Sequence, residues 1–439
     1  MHKKVNLLKN KKGFALIAVC LTISVLVTFA AVFVSQGISQ NNTANVFKYQ
    51  TQALNAADSG LDHAILWLRA QAQAGNYPTG TTVNPWNSGA AQNLGGSSYS
   101  VTISQIDIPA SPNIFRYSIT STGTASNMSR VLRRYVQAIN FANYIWYTNR
   151  ETWGGNNVWF IRNDYLDGPM HTNAHFNIFG KDPGATFIGM ASSVDGYIRF
   201  YNNGNNINLA QTTNSPYDIP DFQQGFTFGA AQGTMPGTAL NLKTNAASGG
   251  YSFNQNTQVV LNGNGTMNYK VGNQAWQNNR PLPANGALFV NGNLTISGTL
   301  DGRLTVGASG DVKIPNNLVY ASGDPVANPS SNDTLGIISE GDVIINSNAP
   351  SNLQIHGVIM ALNSSFYLDN YTSGLKGDLI VRGGIIQKER GPVGTFNALS
   401  GQKISGYTKD YSYDSRMLIS PPPFMPTTGD YLTLAWEEV

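Results

Sequence analysis

Hydrophobic and polar positions along the chain fall into three regimes. In the first, residues 14–34 (FALIAVCLTISVLVTFAAVFV) form an uncharged apolar run directly behind a lysine-rich segment. At about 1.5 Å per residue this run makes a helix of roughly 31 Å, enough to cross a hydrocarbon core of about 30 Å. A cleaved secretory signal would be shorter and would lead into a small-residue cleavage site. Here the helical pattern continues instead. Val46, Ala53, Ala57, Leu61, Ala64 and Leu68 recur on one stripe, with Gln50, Asp58, Asp62 and Arg69 largely off it. Gly75, Asn76 and Pro78 then supply a stop. The pattern therefore predicts one helix over residues 14–75, membrane-embedded in its first half and amphipathic in its second.

The second regime alternates with period two. Behind a loop at 76–98 rich in Pro, Gly, Ser and Asn, residues 98–106, 114–122 and 131–140 read as half-buried strands. They predict a helix packed on a three- or four-stranded antiparallel sheet, with the sheet region at 76–140. The third regime starts at Gly286. Apolar β-branched runs of four to six residues (ALFV, NLTI, RLTV, GIIS, DVII, GVIMAL, DLIV) are separated by Gly, Asn and Asp. Short strands without intervening helices predict a right-handed parallel β-helix over 286–412, with a β-sandwich as the alternative. Asn291-Gly292, Glu340-Gly341 and Lys376-Gly377-Asp378 are its expected corners. The proline-rich residues 413–439 cannot continue a ladder and are expected to cap the open end. Between these regimes, 141–285 is an aromatic- and Asn/Gly-rich β region with long loops. The fold class is thus α+β.

Candidate chemistry is sparse. Aromatic side chains crowd 141–168, where Phe141, Tyr144, Trp146, Tyr147, Trp153, Trp159, Phe160 and Tyr165 could offer sugar-stacking rings, although core packing is the commoner use. In GPMHTNAHF, His171 and His175 are spaced by four; on a strand that separation is about 13 Å, so a hydrogen-bonding role is expected and no metal site is assigned. A glycosidase or lyase built on a β-helix would need converging carboxylates. The candidates Asp301, Asp311, Asp324, Asp333, Glu340, Asp342, Asp369, Asp378 and Glu389 mostly sit beside glycine, where turn chemistry accounts for them. GxxxxGK[ST], HExxH, GxSxG and CxxC are all missing. No enzymatic activity, catalytic residue or cofactor is expected.

Composition agrees with a β-rich protein outside the cytosol. Of 439 residues only 12% are charged, and 45 are glycine. The formal charge of +3 is concentrated in Lys3, Lys4, Lys9, Lys11 and Lys12; without them the chain carries −2. No nucleic-acid partner is implied, and the lysines predict a cytoplasmic N-terminus with everything past Val34 translocated. The single cysteine, Cys20, lies in the apolar run and excludes an intrachain disulfide.

The string Lys11-Lys12-Gly13-Phe14 resembles the processing site of type IV prepilins. The Ala-Leu-Ile that follows and Ala56-Ala57-Asp58-Ser59-Gly60-Leu61 resemble PilX-type minor pilins and pseudopilins. The resemblance implies a leader at 1–13, cleavage between Gly13 and Phe14 by prepilin peptidase, and methylation of Phe14. It also implies a membrane helix through Phe14, Leu16, Ile17, Ala18, Cys20, Leu21 and Val34, and assembly with other pilins along the stripe. Most major pilins carry glutamate where this chain has Ala18, a departure that points to a minor subunit. Gly168-Pro169, His171-Thr172-Asn173 and the closing phrase at 413–426 are similar to motifs of large bacterial surface proteins with a PilX-like N-terminus. The expected function is a minor pilin-like subunit of a type IV pilus or type II secretion-like filament. It would sit in inner-membrane lipid before assembly, then on the pilus or cell surface, presenting its β-rich head for priming, assembly or adhesion to polysaccharide or another cell surface. The alternative is a membrane-anchored surface protein whose β-helix binds or cleaves polysaccharide.

Overall fold

The computed structural model describes residues 11–106, 114–180, 184–202 and 205–439. Most of the expected leader, residues 1–10, lies outside the described residues. Helix α1 (Lys11–Gln73) runs unbroken for 63 residues. It contains no proline, and its hydroxyl side chains bond back one turn: Thr22 to the Ala18 carbonyl at 2.7 Å, Thr43 to Ser39 at 2.9 Å, Thr51 to Phe47 at 2.9 Å. Polar groups within an apolar helix are thereby satisfied locally.

The second half of α1 lies on a small antiparallel sheet built from β1 (Thr81–Val83), β2 (Gln92–Leu94), β3 (Ser97–Ile106), β4 (Arg116–Ala125) and β5 (Met128–Asn140). Period-two alternation decides which face meets the helix: Tyr117, Ile119, Ser121 and Ala125 of β4 are buried, with half-buried residues between them. Small residues bring helix and sheet close together. A Cβ on Gly123 would overlap the Ala53 carbonyl oxygen and the Ala57 nitrogen, and one on Gly60 would strike the Ser121 hydroxyl. Among the described residues five strands come from the expected region, where three or four were expected, and a sixth comes from the far end of the chain. Thr427–Glu438 pairs antiparallel with β5, Thr427 opposite Asn140 and Glu437 opposite Arg133. The expectation that 413–439 cap the head is corrected here. The prolines end before Thr427, and the alternating residues after them have a free strand edge to join.

Everything between β5 and that last strand is the head, a mostly-β body dominated by parallel pairings. Segments 251–253, 287–290, 303–308, 334–339, 358–361 and 385–387 stack in one column, each parallel to the next. The column continues through 146–148, 170–172, 191–193 and 226–228. Two more columns run beside it, one through Leu294–Leu300, Val312–Ile314, Val343–Ile345 and Phe366–Leu368. The other passes through 353–355, 379–381, 410–412, Tyr165–Asp167 and Thr186–Phe187. Inward side chains of all three, including Leu288, Ile296, Val306, Ile337, Ile359 and Ile385, form one continuous core. Residues 141–285 and 286–412 were expected to be separate regions; among the described residues they share one 23-stranded sheet.

The stacking order is not the chain order. The chain enters the stack in its middle at 146, winds outward to 228, crosses back to the opposite end at 251, and winds inward to 387 beside its starting point. Residues 229–250 make that crossing as a strap over the first column. The strap includes α2 (Leu240–Gly249), whose Leu242 and Ala246 pack with Phe289 and Ala287. Because the head begins and ends at one seam, it can be inserted between two neighbouring strands of the small sheet.

Corners are tied from coil to coil by short polar side chains. Asn256 accepts the Asn293 N–H at 2.8 Å, Asn293 accepts that of Asp311 at 2.9 Å, Asp311 that of Asp342 at 3.0 Å, and Asp342 that of Ser365 at 3.0 Å. Inside the stack, His356 is buried, accepts the Tyr320 N–H at 3.2 Å, and is held by burial at a pKa of about 4. Its pKa is depressed on folding, so the unfolded chain binds the extra proton. Its contribution to stability is intact above about 6.5 and is lost as pH falls from there towards about 4. The loss amounts to about 3 kcal/mol when complete. Urea midpoints should therefore fall between pH 7.5 and pH 4.5, and fall much less in His356→Gln; an equal fall in both would refute the assignment.

Candidate functional site

The feature of α1 with most functional bearing is where its burial begins. Gly13 is half-exposed, and Phe14, Leu16, Ile17, Ala18, Cys20, Leu21 and Val34 are all exposed along the apolar first half of the helix. The helix is long and apolar enough to cross a membrane. Ala53, Ala57, Leu61, Ala64 and Leu68 are fully buried against Tyr99, Val101, Ile119 and Val136. Val46, placed on the same stripe by its spacing, is exposed, because burial of α1 sets in only from Tyr49 onward. The seat is reinforced at its edge by Arg134, which bonds Asp62 at 3.0 Å and Asp58 at 3.3 Å. These carboxylates are more than half exposed, so the bridges add little energy.

The motif at 168–173 has a structural explanation that spacing did not suggest. Gly168 adopts φ +143° where the Tyr413 side chain leaves no room for a Cβ. Pro169 presents its carbonyl to the Ile145 N–H at 2.9 Å. Thr172 is buried and meets the Thr148 hydroxyl at 2.8 Å. Asn173 pins the strap: its side chain donates to the Gly233 carbonyl at 2.7 Å and accepts the Gly233 N–H at 3.0 Å. His171 orients that amide through Nε2 at 3.0 Å and holds Ser192 through Nδ1 at 2.9 Å. Burial lowers the His171 pKa, which favours the neutral ring. His175 does not join it; its Nδ1 meets Asp195 at 2.8 Å. Among the described residues no three His, Cys, Asp or Glu side chains gather as a metal site would require.

At the seam lies a buried polar cluster that sequence reasoning missed. Arg390 and Glu151 pair at 2.9 Å with both side chains almost wholly excluded from water. Glu151 also accepts from the Trp146 indole at 3.0 Å and the Thr148 hydroxyl at 2.5 Å. Arg390 donates to the carbonyls of Val158 at 3.2 Å and Trp159 at 3.0 Å, and its guanidinium lies 3.6 Å from the centre of the Phe160 ring. Beside it Lys409 pairs with the buried Asp164 at 2.6 Å. Each pair joins the outward winding, which holds 151 and 164, to the inward winding, which holds 390 and 409. Of the aromatic residues in this region, Phe141, Trp146, Tyr147 and Phe160 are core, Tyr144, Trp153 and Trp159 are half-buried, and Tyr165 is exposed.

Several of the carboxylates considered for catalysis are engaged elsewhere. Asp333 accepts the Gly302 N–H at 2.7 Å, Glu340 accepts the strap's Ala239 N–H at 3.0 Å, Asp324 bonds Arg382 at 3.0 Å, and Glu389 faces Arg150 at 3.4 Å. Asp311 and Asp342 belong to the corner ladder.

A family described as a domain of unknown function (DUF4900) matches residues 113–195, the stretch from β4 through the Asn173 motif. No curated protein matches the chain. The crystal structure of the competence-associated pilin ComZ from Thermus thermophilus aligns over 89% of this chain and 97% of its own at 12% identity, with a TM-score of 0.32. That likeness is too slight to carry fold or function across.

Proposed function

We propose that this chain is a minor pilin-like subunit of a type IV pilus or related secretion filament. The reading rests on one observation: a single helix is bare and apolar over its first half, while its second half is seated in a small antiparallel sheet. In a membrane the bare half is solvated by lipid; in a filament the same surface packs against neighbouring helices. The head leaves from the far end of β5, so it does not cover that surface. In this reading prepilin peptidase cuts after Gly13, Phe14 is methylated, the lysines stay cytoplasmic, and the head is displayed outside. Ala18, in place of the usual glutamate, suits a subunit placed at a filament end. Three columns of parallel pairing support a β-helix for the head over a sandwich, whose strands would pair antiparallel. Engagement of the candidate carboxylates in turns, strap and ion pairs supports a role in display and contact rather than catalysis.

The test is the mass of the mature N-terminus, measured on chain expressed together with a prepilin peptidase. The expected result is a chain beginning at methyl-Phe14, and Gly13→Leu should leave it uncut. An intact Met1 in the wild-type chain would sink the reading.

A further inference from the structure

The seam is also where the head departs most from regular winding, and the departures enclose a groove. From the outward winding a hairpin of Thr152–Trp153 and Asn156–Asn157 stands out of the stack; from the inward winding Gly394–Phe396 folds back antiparallel on 403–406. Between them lies a groove of about 230 Å³ lined by Trp153, Trp159, Tyr371, Phe396 and Tyr407. It is smaller than the roughly 300–1,000 Å³ of drug-sized sites and suits one ring-sized unit. A second hollow of about 330 Å³ adjoins it, sharing Ile161, Lys403 and Tyr407, and is lined by the polar Arg162, Asn163, Gln402 and Thr408.

We infer that this pair of hollows is a binding site for a pyranose polysaccharide, with one sugar ring stacked between the aromatic walls and the hydroxyls of the next unit met by the polar hollow. Three observations carry the inference. First, aromatic rings come from both windings, so the groove exists only because the seam brings distant segments together. A sugar's C–H face is apolar and its rim is hydroxylated, which matches aromatic faces interspersed with Asn156, Thr395 and Ser405.

Second, the walls are braced before any ligand arrives. Trp153 leans on Tyr367 with ring centres 4.7 Å apart, and Trp159 meets Phe179 at 6.2 Å and Tyr201 at 6.4 Å. The backbone carbonyls of Val158 and Trp159 are both held by buried Arg390. A buried ion pair is an expensive way to gain stability alone; here it fixes a wall whose geometry a ligand would use, lowering the ordering cost of binding.

Third, the two lysines that line the aromatic groove are already engaged. Lys409 is paired with Asp164 at 2.6 Å, and Lys403 donates to the carbonyls of Lys376 at 2.5 Å and Gly377 at 3.2 Å. Within the aromatic groove ring stacking rather than ion pairing is left to supply the affinity, and in the adjoining hollow Arg162 offers N–H donors to sugar hydroxyls. The inference is independent of filament assembly and holds whether or not Phe14 is methylated.

The experiment is affinity electrophoresis of the full chain in a sugar-free detergent, through gels containing glucomannan, xylan, dextran or alginate. Retardation is expected on at least one polysaccharide, with at least a tenfold loss of affinity in Trp153→Ala and in Trp159→Ala. Trp153 stands on a projecting hairpin, so its variant keeps the test open if Trp159→Ala does not fold. Mobility unchanged on all four gels would overturn the inference. So would retardation that both folded tryptophan variants retain, including retardation on alginate alone, because that would be binding by charge elsewhere on the surface.

Discussion

Arg390→Met should destabilise the head by about 3–5 kcal/mol, the loss typical when one partner of a buried pair is removed and the other stays charged and unpaired. The residue left behind is Glu151, almost wholly buried, whose second oxygen already serves Trp146 and Thr148. Two carbonyls, of Val158 and Trp159, lose a donor in the same step. Adding Glu151→Gln keeps an oxygen for Trp146 and Thr148 while removing the orphaned charge, so the double variant should regain a large part of the loss. Urea unfolding followed by tryptophan fluorescence reads both. A single variant within about 1 kcal/mol of wild type would mean that the two windings are not locked at the seam as described. The same comparison separates stability from shape: the double variant should fold yet present a looser Trp159.

Gly123→Val should unseat α1 from its sheet at about 3 kcal/mol, the upper end of the range for overpacked sites. The residue is glycine for reasons of space and not of backbone conformation, since its φ is not positive. An added Cβ would meet the main chain of α1 at Ala53 and Ala57, which cannot swing aside as a side chain would. Relief requires the helix to move, and the contacts of Leu61, Ala64 and Leu68 go with it. Lower thermal stability and faster amide exchange across residues 53–72 are the expected readouts. Gly196→Val is the control, because a Cβ there meets nothing within 4 Å. Equal behaviour of the two variants would show that the helix is not seated this closely.

Local pattern made the elements legible and left their neighbours hidden. The apolar run is a helix signal by its length, and the stripe from Ala53 to Leu68 is one whose burial is written into the spacing; Val46 fits the spacing too but is exposed. Runs such as Thr334–Ser339 announce parallel coils, each buried on both sides. Which coil lies on which is another matter. Ile385 rests beside Trp146, far away in the chain, and no property of either residue names the other. The strap and the seam follow from that choice of neighbours, and so does the groove. Arg390 and Glu151 lie 239 residues apart, and charged residues in a sequence read as surface until their partner is known. Trp153 and Trp159 stood out only as members of an aromatic-rich stretch; their separation from the core aromatics around them is a fact of three dimensions. In the tail, Tyr431 and Thr433 lie two apart as strand positions do, and the strand they join, at Ala138 and Val136, lies far away in the chain.

The shared seam also determines how the molecule carries a pull. Asn140 and Thr427 are opposite each other where the two chain crossings leave the small sheet, joined by the Phe141 N–H to the Pro426 carbonyl at 3.1 Å. A load on the head enters both strands from the same end, so neither is peeled from the other, and the tension divides between two covalent paths. It passes into β4 and α1 through bonds strained along the strand axis, many at once. A head fastened by a single linker at the end of the chain would put the whole load on one strand.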